Sequence, residues 1–212
     1  MVKSLFETKE LPNIVPIFPL DKTILLPNST LQLTIFEPRY LSMCFDVLKQ
    51  NRFIAIIQNS TDRSDDLQRV GCIGKIVKFE ETADYKLLIT LKGISRFKVK
   101  EELTTTNPYR MISVDYQDYQ EDLKPEPAAI FTCKNVFKRL QDYLTRHHVK
   151  TNWQELEKMP ANVMVNFMAM YLSFSVQEKQ LLLEAENFHK RAEVLNAIVK
   201  IDNGNSGSNS VN

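Results

Sequence analysis

A chain of 212 residues, 43% of them hydrophobic and 25% charged, can bury a substantial core without disulfide or metal staples. Its 27 lysines and arginines stand against 26 aspartates and glutamates, so no global field draws in a nucleic-acid backbone or an anionic membrane. Cys44, Cys72 and Cys133 are odd in number, far apart and set in apolar runs, which makes them buried thiols in a reducing compartment rather than a disulfide framework.

Residues 1–13 form an N-terminal arm in which Lys3, Glu7, Lys9 and Glu10 leave no room for the apolar core of a secretory signal. No later run reaches the ~20 apolar residues of a membrane span, so the sequence reads as cytoplasmic, with no membrane partner. Residues 14–120 are dominated by short strand patterns. The first, over 14–20, carries Pro16 and Pro19, which suits an edge or a bulge. Leu31, Gln32, Leu33, Thr34 and Ile35 alternate apolar with polar, the signature of a half-buried strand. Tyr40, Met43, Cys44, Val47 and Leu48 then fall on one stripe of a helix that begins near Pro38 or Arg39. The apolar run 53–57 suits a strand covered on both faces. Residues 70–81 and 86–99 flank a polar tip and predict a long hairpin, with Gly93 marking a bulge or bend in its second arm. A last strand over 109–116 follows the Asn107-Pro108 turn.

Composition shifts after Tyr119. A polar, twice proline-broken stretch predicts a linker over 121–127, and residues 128–201 read as a helical bundle. Its first helix is marked by Ile130, Cys133, Phe137, Leu140 and Leu144. Asn152 with Glu155, and Ser175 with Glu178, have the capping-box spacing that opens two more. In the last helix Leu181, Ala185, Phe188, Ala192, Leu195 and Val199 form a heptad-like seam, on which self-association through the C-terminal helix is expected. The Gly-, Ser- and Asn-rich tail 202–212 reads as disordered.

Candidate chemistry is sparse. Gly71 to Lys75 superficially resembles a phosphate loop, but the glycines are three apart, Ile76 stands where a magnesium-binding hydroxyl is needed, and the context is a strand. Glu186 and His189 make half of a di-metal carboxylate pattern without its second half. Arg146, His147, His148 and Lys150 are a basic knot at a helix end, placed to meet the carbonyl end of the dipole. The sequence therefore offers no catalytic residue, cofactor site or metal site. Met164, Phe167, Met168 and Tyr171 share helical spacing with Leu172; they are either a core stripe or an adaptable apolar interaction surface.

Several short motifs follow one another along the chain: the strand ending Phe18-Pro19-Leu20, the junction Ile35-Phe36-Glu37-Pro38-Arg39-Tyr40, Val70-Gly71, Gly93 with Arg96-Phe97, Pro108-Tyr109, and the helix from Lys179 to Arg191. In this order they resemble the amino-terminal, substrate-binding domain of Lon-type ATP-dependent proteases. The resemblance runs from about Val15 to Val199. Leu26-Pro27-Asn28 and the Thr-rich loop before Pro108 depart from it, both in turns.

What the resemblance implies is an α+β chain: a small PUA-like β pseudo-barrel with one inserted helix, followed by a C-terminal helical bundle. It also implies binding without hydrolysis, because neither a Walker motif nor a Ser-Lys peptidase follows within the 212 residues. The function so implied is a non-enzymatic protein- or peptide-binding module for unfolded or apolar segments, an adaptor or regulator of proteolysis. The alternative is a PUA-like RNA-binding module, against which the near-neutral charge argues. The motif residues Glu37, Arg39 and Arg96 are read as structural, fixing tight turns rather than a ligand.

Overall fold

The computed structural model describes residues 11–60, 66–124, 141–148 and 152–205. Its elements are β1 (Ile14–Pro19), β2 (Thr30–Ile35), α1 (Pro38–Leu48), β3 (Phe53–Ile57), β4 (Val70–Glu81), β5 (Leu87–Leu103) and β6 (Met111–Asp115). A 3-10 segment follows at Gln117–Leu123, then α2 (Trp153–Lys158), α3 (Ala161–Tyr171), α4 (Val176–Glu184) and α5 (Phe188–Asn205). Residues 141–146 are also helical. The architecture is α+β.

The six strands form one sheet in the order β2-β5-β4-β3-β1-β6, and β6 returns to pair with β5. All pairs are antiparallel except β1 with β3. The closure is partial because β5 is 17 residues long: its first half pairs with β2, its second with β6, and β4 runs along both. The bend between the halves lies at Gly93, where the β4–β5 register shifts. A Cβ on Gly93 would stand 2.1 Å from the Leu26 carbonyl oxygen, so only glycine lets the incoming loop lie against the bend.

β3 shows why both faces are apolar. Ile54 and Ile56 enter one core with α1 and the helices, while Phe53, Ala55 and Ile57 enter a second core inside the barrel with Val15, Ile17, Phe97 and Ile112. Each of the larger of these buried side chains contributes roughly 1.5–3 kcal/mol relative to exposure.

The helical half departs from expectation at its junction with the barrel and along its last helix. The 3-10 segment carries the chain past residue 120 with Tyr119 buried, so residues 121–124 belong to the junction; 125–127 lie outside the described residues. The helix predicted from Ile130, Cys133, Phe137 and Leu140 falls largely outside them too, although Leu144 is buried at its end. Ser175 opens α4 with a reciprocal capping box, whereas Asn152 opens α2 without a side-chain cap bond. The single last helix is two helices. The chain leaves helical geometry at Ala185, and Asn187 Oδ1 accepts from the Lys190 amide to start α5. The seam is consequently used inside the chain: Ala185, Phe188, Ala192, Leu195 and Val199 are buried, and Leu181 is exposed. α5 also continues to Asn205, beyond the expected end at Ile201, with Asp202 paired to Arg146 and 2.9 Å from His147 Nε2. That acid answers the basic knot; residues 206–212 lie outside the described ones.

Candidate functional site

The strand-to-helix junction is built from alternate burial. Ile35 ends β2 inside the core, Phe36 faces solvent, Glu37 is the N-cap residue of α1, and Pro38 occupies a first-turn position where no amide is needed. Tyr40 turns inward and meets Phe18 edge to face, ring centroids 4.2 Å apart. The Arg39 guanidinium covers the Tyr40 ring at 4.6 Å and pairs with Glu37 at 2.9 Å, both charges being about half exposed. Such a half-exposed pair contributes under about 1 kcal/mol to the turn. Pro19 and Leu20 are half-buried at the end of β1, where the Leu20 amide donates to the Ile57 carbonyl. Tyr109 donates to Asp46 Oδ2 at 3.0 Å and so ties the entry of β6 to α1; burial, then that bond, pushes its phenol up to about 12.

Gly71 and Gly74 sit within β4, where a Cβ on Gly71 would lie 2.5 Å from Phe97 Cζ. The amides that would have to converge on a phosphate are spread along a ladder. Cys44 and Cys72 are both buried, and burial pushes the Cys44 thiol up to about 12 and that of Cys72 higher still; Cys133 lies outside the described residues.

Arg96 is the most connected side chain of the motif set. On β5 and only 3% exposed, it holds Asp122 through Nε and Nη2, and donates to the carbonyls of Leu183, Ala185 and Glu186. Its guanidinium also lies 4.5 Å from the Tyr119 ring centroid. The carbonyls left by the break between α4 and α5 are thus taken by a cation from the barrel, a favourable meeting at a helix C-terminus. Nearby, Gln58 of the barrel donates to the Val176 carbonyl and to Gln180 Oε1, and Gln180 donates to the Val70 carbonyl. Neither Asp122 nor the Gln58–Gln180 clasp was singled out from sequence, because their partners lie 26 and 122 positions away.

The candidate apolar stripe divides. Met164 and Met168 are buried with Leu172, as core, whereas Phe167 and Tyr171 are exposed with rings 4.8 Å apart. Val163, four residues before Phe167, is exposed on the same row. The outward row is anchored to the barrel: Tyr171 Oη donates to the Thr30 carbonyl at the start of β2, at 3.0 Å. An apolar ledge therefore runs along α3 and ends at the first residue of β2. Further exposed apolar groups, Phe36 at the end of β2 and Leu88 across from Thr34 on β5, lie on the same part of the barrel. A shallow concavity of about 200 Å³ opens there, lined by Leu33, Leu88 and Ile89 together with Gln32, Thr34, Thr90 and the charged Lys78 and Glu80.

Comparison with known proteins identifies this arrangement. The family described as the ATP-dependent protease La (LON) substrate-binding domain matches residues 14–200. The chain belongs to that family. Among curated relatives, the Lon protease of Dictyoglomus thermophilum is 22% identical over 90% of the chain and 25% of its own length. The Lon protease of Desulfosudis oleivorans is 26% identical over 84% of the chain and 22% of its own. The chain thus spans about a quarter of the length of these Lon proteases. Among solved structures, the Lon N-terminal domain protein of Xanthomonas campestris superposes with a TM-score of 0.60 at 22% identity, covering 87% of this chain and 97% of that one. The N-terminal domain of Mycobacterium avium complex Lon protease gives 0.61 at 18% identity, covering 88% and 98%. These likenesses carry the fold of a Lon N-terminal domain. Among the described residues of this Lon-type domain no helix is long and apolar enough to cross a membrane.

Proposed function

We propose that this Lon-type domain is a non-catalytic recognition module that holds unfolded or apolar polypeptide segments in the cytoplasm, as an adaptor or regulator of proteolysis. The observation that carries the reading is the exposed row Val163, Phe167 and Tyr171 on α3, continuous through Tyr171 with the barrel at Thr30. In a domain with ample apolar residues to fill its cores, three such side chains in line on one helix face form a surface for another apolar chain. The two methionines beneath, Met164 and Met168, give that surface an adaptable backing.

The test is fluorescence polarisation with a labelled, permanently unfolded probe, reduced and carboxymethylated α-lactalbumin. Binding is expected, and Phe167→Ser is expected to weaken it about tenfold or more, since burying one aromatic side chain is worth roughly 1.5–3 kcal/mol. Absence of binding by the unaltered chain at high protein concentration would refute recognition of unfolded segments. Equal binding by Phe167→Ser would move recognition off α3.

A further inference from the structure

We infer that the outer edge of β2 is a strand-addition site, at which an extended segment of a partner polypeptide pairs by its backbone with Gln32 and Thr34; the inference rests on the recognition function proposed above.

The phase of the β2–β5 ladder decides which amides are spoken for. Thr30 lies opposite Lys92, and the Gly93 amide donates to the Ser29 carbonyl. In an antiparallel pair, a bond from the residue after one partner to the residue before the other defines a non-bonded pair, so bonded pairs fall at alternate positions. Leu31, Leu33 and Ile35 accordingly exchange bonds with Leu91, Ile89 and Leu87. Thr30, Gln32 and Thr34 aim their N–H and C=O groups away from β5. The Tyr171 hydroxyl bond to the Thr30 carbonyl agrees with this phase, in which that carbonyl is not taken up by the β5 ladder.

β2 is the end strand of the sheet order, and Thr30, Gln32 and Thr34 are all exposed. Among the described residues no backbone or side-chain group bonds the outward groups of Gln32 or Thr34. The edge offers two donors and two acceptors in line, at the repeat of a β-strand. That pattern matches one ligand class, an extended polypeptide backbone.

Proteins usually blunt such an edge with charge, proline or a bulge. β1 carries Pro16 and Pro19, and the β4–β5 ladder has bulges. β2 reads Thr-Leu-Gln-Leu-Thr-Ile, with no charge or proline, and keeps an unbroken register with β5. The surroundings suit the occupant too. The α3 ledge abuts the start of the edge at Tyr171, exposed Phe36 stands at its end, and the concavity by Leu33 and Leu88 lies beside it. Backbone bonds supply an affinity indifferent to sequence, and the apolar flanks select extended segments with alternating apolar residues.

The experiment uses the full chain and a short fluorescein-labelled peptide alternating valine with threonine and lysine, with a second peptide N-methylated at alternate amides. The unmodified peptide is expected to bind and the N-methylated one to bind about tenfold more weakly, because two backbone bonds of ~0.5–1.5 kcal/mol each are removed. In the protein, Thr34→Pro deletes one outward N–H while leaving the β5 ladder intact, and should weaken binding about threefold or more, as one bond of ~0.5–1.5 kcal/mol is lost; Thr34→Val should not. Equal affinity for both peptides overturns strand addition while leaving recognition standing. Binding of neither peptide, with the unfolded probe still bound, likewise removes this site alone. If neither peptide nor the unfolded probe binds, the recognition function falls with it. A peptide-free dimer lost on Thr34→Pro would assign the edge to a second copy of the chain and overturn the proposal.

Discussion

The guanidinium of Arg96 and the carboxylate of Asp122 meet side-on through two bonds, Nε to Oδ2 at 2.9 Å and Nη2 to Oδ1 at 2.8 Å, with side chains 4% and 8% exposed. The pair joins β5 to the 3-10 segment, and the remaining arginine donors reach the end of α4. One buried cation thus ties barrel to helices, beside the Gln58–Gln180 clasp and the Tyr171–Thr30 bond. Arg96→Met leaves the buried Asp122 carboxylate with only the residue-96 amide as donor and three carbonyls without one, for an expected loss of about 3–5 kcal/mol in urea unfolding. Arg96→Lys should recover little of it, since an ammonium cannot match the planar fork. A loss below about 1 kcal/mol would demote the pair to an ordinary surface contact.

Gly93→Ala tests the bend of β5. The added methyl would meet the Leu26 backbone oxygen at 2.1 Å, and backbone cannot swing aside as a side chain does. The expected cost is about 1–3 kcal/mol or more, with altered exchange at the Asn28 amide, which donates to the Gly93 carbonyl. Unchanged thermal stability would mean that the 24–29 loop is not held against the bend.

The barrel was legible because its signals are local. Alternation in Leu31–Ile35, the continuous apolar run at 53–57 and the glycine within a strand pattern each report on neighbours a few residues away, and the helix after Pro38 shows in a single stripe. What stayed hidden depends on distant partners. No periodicity reveals that Arg96 will reach the carbonyls of residues 183–186, and so the seam through Ala185 reads as one helix although its course is broken there. Asp122, set among prolines and charges, looks like linker until its counterion is placed. The open edge of β2 is equally silent, since alternation tells which face is buried and not which neighbour is missing.

The stripe on α3 splits by the rotation of a helix through one residue, and stability measurements can verify the split. Met168, 1% exposed, should cost about 2–5 kcal/mol when changed to Ala, whereas Phe167→Ala, 43% exposed, should stay within about 0.5 kcal/mol. Equal losses would mean that both rows are core, leaving no ledge on which a partner could rest.

Lys179 gives the chain a pH signature. Its side chain is buried, with Nζ donating to the Met170 carbonyl near the end of α3, and burial pushes its ammonium down to about 8 from 10.5. The unfolded chain holds this proton to higher pH than the folded chain. Below about pH 8 both states are charged, and the folded state bears the whole desolvation cost, about 3 kcal/mol at 1.36 kcal/mol per pH unit. Between about 8 and 10.5 the folded amine is neutral while the unfolded one still binds its proton, so this residue's contribution to stability rises with pH; above 10.5 the cost is gone. Lys179→Met lacks the titration. The unfolding free energy of the unaltered chain minus that of Lys179→Met should therefore climb by up to about 3 kcal/mol across that window, whatever the offset from losing the Met170 bond. Subtraction cancels the tyrosines and surface lysines that titrate in both proteins. A flat difference would show that Lys179 keeps its proton in the fold, held by the Met170 carbonyl.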